Sequence, residues 1–134
     1  MLKDFAVTQI VPPTSHSAGS LTTAAVDTKG FGTAIILVEL GNSTSLGFSH
    51  CDLYSSDLRN ETHEELLGSA VPGGTDPNEV LAFQVDLADA ENRYLFLHLT
   101  LQGSGTAVLS VLALLLDPTN TPINTNLDEQ ILIP

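Results

Sequence analysis

Residues 93–116 leave this chain fewer choices than any other stretch. The first half alternates, with Leu95, Leu97, Leu99 and Leu101 pointing one way and Tyr94, Phe96, His98 and Thr100 the other. A period of two belongs to a strand and fits no helical stripe. Gln102-Gly103-Ser104-Gly105 follows, a connector of hairpin length. Residues 107–116 are apolar on both faces. Their Ala and Leu would also suit a short buried helix, but the hairpin context and the length of the run favour a strand. The expectation is a hairpin at the centre of a sandwich.

The rest of the chain carries the same signature. Residues 33–40 form a β-branched run of the kind covered on both faces, and Gly41-Asn42-Ser43 closes it. Residues 45–54 alternate, with Leu46, Phe48, His50, Asp52 and Tyr54 opposite Gly47, Ser49, Cys51 and Leu53. Leu81, Phe83, Val85 and Leu87 alternate with Ala82, Gln84 and Asp86. Residues 55–67 are the most polar stretch and suit a helical turn before Gly68. Short strands with a turn signal every ten or so residues predict an all-β fold, an antiparallel β-sandwich of jelly-roll or immunoglobulin-like topology. The leucines of residues 95–101 should be its central stripe, packed on Ile35 or Ile36 and on Leu81, Phe83 and Val85. Residues 21–116 read as the body. Pro12-Pro13 bars a central strand, so residues 1–20 read as an extended arm, or as an edge strand with a linker. Residues 117–134 read as an extended tail ending in Ile131, Leu132 and Ile133.

Acidic residues outnumber basic ones sixteen to four, giving a net charge of −12. Such a surface repels phosphate, so nucleic acid and anionic membranes are poor partners. With 43% hydrophobic residues the chain is nevertheless a folding one. Residues 1–13 lack the uninterrupted apolar core of a signal peptide, and no run approaches the roughly twenty apolar residues of a membrane helix. The expectation is a soluble protein made in the cytoplasm.

No arrangement of side chains points to catalysis or to a cofactor. Cys51 is a lone cysteine, and its neighbour His50 faces the other way in a strand. His16, His50, His63 and His98 lack the paired spacing of a zinc site. Asp86, Asp89, Glu91 and Asn92, like Asp76, Asn78 and Glu79, lack calcium-loop spacing and read as turn residues. Asn60-Glu61-Thr62 matches a glycosylation pattern that a chain without a signal peptide never presents to that machinery. The expectation is no enzyme, no metal and no cofactor.

Three segments in order resemble small head-associated virion proteins of tailed bacteriophages. AVDTKGFGTAIILVELG, residues 25–41, is similar to their "V-D-x-x-G-[FY]-x-[ST]-A" entry into an apolar strand. HCDLYSSDL, residues 50–58, is similar to the strand and polar "S-D" stretch that follows. NRYLFLHLTLQGSGTAVLSVLALLLDP, residues 92–118, resembles their "[KR]-R-Y-[LV]-R-[LV]" strand, Gly-rich turn, apolar strand and terminal Asp-Pro. The chain departs from the pattern at Phe96, where an Arg is usual, and in the strongly apolar residues 107–116.

The resemblance implies a capsid decoration (cement) protein on the exterior of the virion, with the major capsid protein as partner. An acidic module fits the outside of a DNA-filled shell. The face of Tyr94, Phe96, His98 and Thr100 is too apolar for water, and residues 107–116 have no polar face, so a homo-oligomer is expected, a trimer best matching local threefold positions. Expected contact residues are Phe5, Val7, Tyr94, Phe96 and His98, with Ile131, Leu132 and Ile133 of the tail. The competing expectation is a carbohydrate-binding or adhesin sandwich on a phage tail or fibre, against which the absence of Trp counts.

Overall fold

The alternating segments fold as strands: β1 (Ala6–His16), β2 (Gly19–Thr22), β3 (Val26–Asp27), β4 (Phe31–Leu40), β5 (Ser45–Ser56), β6 (Glu64–Ala70), β7 (Val80–Asp86), β8 (Tyr94–Ser104) and β9 (Ala107–Pro118). The computed structural model describes residues 5–43, 45–57, 64–72, 78–87 and 92–118, and among these there is no helix. One sheet has the order β1-β9-β4-β7; the other runs β2-β8-β5-β6, with β3 also on β8. All pairings are antiparallel.

The pairings nest. β5 pairs with β6, β4 with β7, β2 and β3 with β8, and β1 with β9. This is one long antiparallel ribbon, rolled up so that β4 also meets β9 and β5 meets β8. Of the two sandwich topologies open to the sequence, the pairings select the jelly roll.

Rolling the ribbon separates two strands that the sequence joins. β8 and β9 do not form a hairpin: they lie at the centres of different sheets. Gly103 and Gly105, at φ 109° and 85°, turn the chain across the gap between the sheets, a conformation that favours glycine. Each strand has a fully apolar inner face, and placing them in opposite layers buries both. Leu95, Leu97, Leu99 and Leu101 are at most 5% exposed, as are Leu109, Val111, Ala113 and Leu115. Ile36, rather than Ile35, points into this core. Leu81, Phe83, Val85 and Leu87 pack against its edge.

Of the extended arm and the edge strand that the sequence allowed for residues 1–20, residues 6–16 form the edge strand, β1, paired with β9 from Ala6 to His16, and two further expectations change. The β1 register slips between Val11 and Thr14, where Pro12-Pro13 sits, as prolines on an edge allow. Residues 64–67 belong to strand β6 and not to a helical turn. In β5 the alternation changes phase: a bulge between Phe48 and His50 sets two residues against one on β8. Leu46 and Phe48 therefore point inward with Cys51 and Leu53, while Asp52 and Tyr54 point out. Asp117 and Pro118 end β9, and the tail from residue 119, with Ile131, Leu132 and Ile133, lies outside the described residues.

Candidate interaction surfaces

A sandwich has two outer faces, and the contact residues expected from the sequence fall on both. Tyr94, Phe96 and His98 are outward residues of β8, at the middle of the five-stranded sheet. Val7 is on the other sheet, opposite Leu114, and Phe5 is half-buried just before β1. The structure does not bring these two groups together.

On the five-stranded sheet the aromatic residues cover one another. Phe96 is 1% exposed although it lies outside the central core. Tyr54, its cross-strand neighbour, stacks on it at 5.7 Å between ring centroids, and His98 meets it edge-on at 5.5 Å. His98 also meets Tyr54 edge-on at 4.7 Å. Both imidazole nitrogens are engaged: Nε2 lies 3.2 Å from the Glu64 carboxylate and Nδ1 2.6 Å from the Thr22 hydroxyl. A carboxylate only accepts, so the proton sits on Nε2, and in the neutral ring Nδ1 accepts from Thr22. His98 thus ties β2 and β6 to β8.

The segments that carry the phage resemblance meet at one end of this sheet. Val26 and Asp27 pair with Leu95 and Tyr94. The Asp27 carboxylate accepts two bonds from Arg93, from Nε at 2.7 Å and Nη2 at 2.6 Å, and a third from the Lys29 amide at 3.0 Å. Gly30, at φ 91°, then completes the turn into β4. Arg93 also lies over the Tyr94 ring, 5.2 Å from its centroid. The Asp, the Gly and the Arg-Tyr pair are accounted for as one structural lock. A pocket of about 380 Å³ opens beside it, lined by Lys29, Phe31 and Leu87 among others.

Among the described residues no group of three or more His, Cys, Asp and Glu converges to hold a metal ion. Of the acidic turn candidates, Asp76, Asp89 and Glu91 lie outside the described residues. Cys51 is buried in the core, where burial, with the Asp52 charge second, pushes its thiol up to about 12. A thiol so held is no nucleophile.

The four-stranded sheet is different. β9 and β4 lie side by side at its centre and present Leu112, Leu114, Leu116, Ile35 and Leu37 outward, all half-buried. The sequence showed that β9 lacks a polar side. It did not show that Ile35 and Leu37 would lie beside it, because residues 33–40 read as covered on both faces.

No family model matches the chain, and no curated protein matches it in sequence. A solved structure does: the SPBc2 prophage-derived protein YomS superposes with a TM-score of 0.52 at 16% identity, over 85% of this chain and 94% of that one. At that identity the likeness is one of fold.

Proposed function

We propose that the protein is a structural component of a tailed-phage virion, a decoration protein that binds the outside of the capsid and stabilises it. The observation that carries this reading is the jelly-roll sandwich shared, over nearly the whole length of both chains, with a prophage-derived protein. The resemblance of residues 25–41, 50–58 and 92–118 to head-associated proteins supports it. So does the net charge of −12, which suits the exterior of a shell packed with DNA. The role is mechanical and needs no catalytic group. The partner is the major capsid protein, and copies made in the host cytoplasm gather at local threefold positions of the assembled head.

Attachment is assigned to residues 119–134, because residues 6–16 are committed to β1. The maximum reach of a chain of that length is on the order of 50 Å, enough to cross from one capsid subunit to the next. The test is co-sedimentation of purified protein with heads of the phage that encodes it, prepared without the protein. Saturable binding that raises the temperature of head disruption is expected, and a chain cut after Pro118 should fold yet bind far less. Failure to bind heads, with binding instead on a glycan array, would replace this reading by that of a sugar-binding module.

A further inference from the structure

The outer face of the four-stranded sheet is aliphatic where a solvated sheet would be polar. Across β9 and β4 its rows read Leu112 beside Leu37 and Leu114 beside Ile35. Val7 on β1 extends the second row and Ala82 on β7 the first, and one glutamine ends each, Gln84 on β7 and Gln9 on β1, so the two rows hold six apolar residues. Side chains in such rows cover one another only within the plane of the sheet, so their outer ends remain open, and all six stay at least partly exposed.

Charge decides what can cover them. Glu39, Asp86 and Asp117 stand at the margins of this face, and none of the residues in its two rows is charged. Its occupant must be apolar and uncharged as well. A second copy of the chain offers such a surface in this same face, whereas the exposed Leu66 and Leu67 of the other sheet lie on β6 beside Glu64 and Glu65. The opposite sheet presents Asp52 and Glu64 outward, so two molecules of charge −12 meeting there would bring carboxylates together. We propose that the outer face of the four-stranded sheet is the contact between copies of the chain, with Leu112, Leu114 and Ile35 at its centre.

The size of the face sets the strength of the contact. Four strands about 4.8 Å apart, with outward residues about 6.7 Å apart along each, present on the order of 500 Å². A standard stable interface takes about 800 Å² from each partner. Association is therefore reversible and concentration-dependent in solution, and fullest where copies are gathered on a surface. It does not depend on the virion reading: free protein that fails to bind heads would still associate.

Light scattering and sedimentation of the full chain, from low to high micromolar concentration, test the proposal. The mean mass should climb from 14.1 kDa towards a multiple of it. Ala82→Arg places a charge on the face at an exposed edge position and leaves the core untouched, and Leu114→Gln takes an apolar side chain from its centre. Each should weaken association by about tenfold or more. His50→Arg, on the opposite sheet, should leave the mass curve unchanged. Circular dichroism shows that each variant is folded. The proposal is overturned by a chain that stays monomeric throughout, by association that survives both Ala82→Arg and Leu114→Gln, or by loss of association on His50→Arg. A monomer that begins to associate only when cut after Pro118 would mean that its own tail covers the face, and would overturn it too.

Discussion

Phe96 and Leu114 occupy equivalent places, each an outward residue on the middle strand of its sheet, yet they end in opposite environments. Phe96 is 1% exposed, whereas Leu114 remains half-buried. The difference lies in the neighbours. Tyr54 and His98 carry rings long enough to lean over Phe96, and His98 is pinned in place by Thr22 and Glu64. Around Leu114 stand Val7 and Ile35, short branched side chains that fill the plane of the sheet but cannot roof it. An apolar residue that points outward is thus a contact residue only where its neighbours fail to cover it. Sequence alternation puts Phe96 and Leu114 in the same class, and packing separates them.

The largest expected effect tests that separation directly. Phe96→Ala should cost about 3–5 kcal/mol, the range for a buried aromatic ring, despite its position on an outer face. Urea denaturation measures it. A loss under about 1 kcal/mol would place Phe96 with the exposed residues and make the two faces alike. Leu97→Ala, one residue along and inside the core at 0% exposure, should cost about 2–5 kcal/mol and calibrates the interior.

Much of this was legible in the sequence, for physical reasons that also mark where legibility ends. Period-two alternation is local, so it revealed the strands β7 and β8 and the inward leucines of β8. The bulge in β5 is not local. It depends on how β5 aligns with β8, and no residue type between Phe48 and His50 announces it, so alternation alone phases the outward set wrongly across it. The same holds for β8 and β9: the sequence shows two apolar strands and a glycine turn, which serve a hairpin and a crossing between sheets equally well. Only the nested pairing of the whole ribbon distinguishes them. The outer aliphatic face required knowing that β4 lies beside β9, a pairing between segments some 75 residues apart in sequence.

An intermediate effect probes the layer between the two faces. The Cys51 thiol is pushed up to about 12 by burial, against an ordinary value near 9. The unfolded chain thus loses this proton at lower pH than the folded one. Stability from this group is complete below about pH 9 and declines as pH rises towards 12, by about 1.4 kcal/mol per unit. Denaturation curves at pH 8 and pH 10 should differ in that direction, and Cys51→Ala should remove the Cys51 share of the slope. A folded chain that reacts with a thiol reagent at pH 8 as fast as the unfolded chain would show the sheets to be far less tightly closed than the buried core implies.

The smallest effect belongs to Leu114→Thr, and it sharpens the contrast with Phe96 most. Threonine brings a β-branched side chain that suits a strand, and its hydroxyl reaches water from an open face. Only apolar packing within the plane of the sheet is given up, so dilute protein should lose only about 1 kcal/mol. At high concentration the same substitution should cost more, because wild-type copies stabilise one another through that face by mass action and the variant's do so less. The observable is the dependence of the thermal midpoint on protein concentration. It should be present in the wild type, weaker in Leu114→Thr, and unaltered by replacing His50. A large loss for Leu114→Thr at every concentration would mean that Leu114 is roofed as Phe96 is, by chain rather than by a second copy.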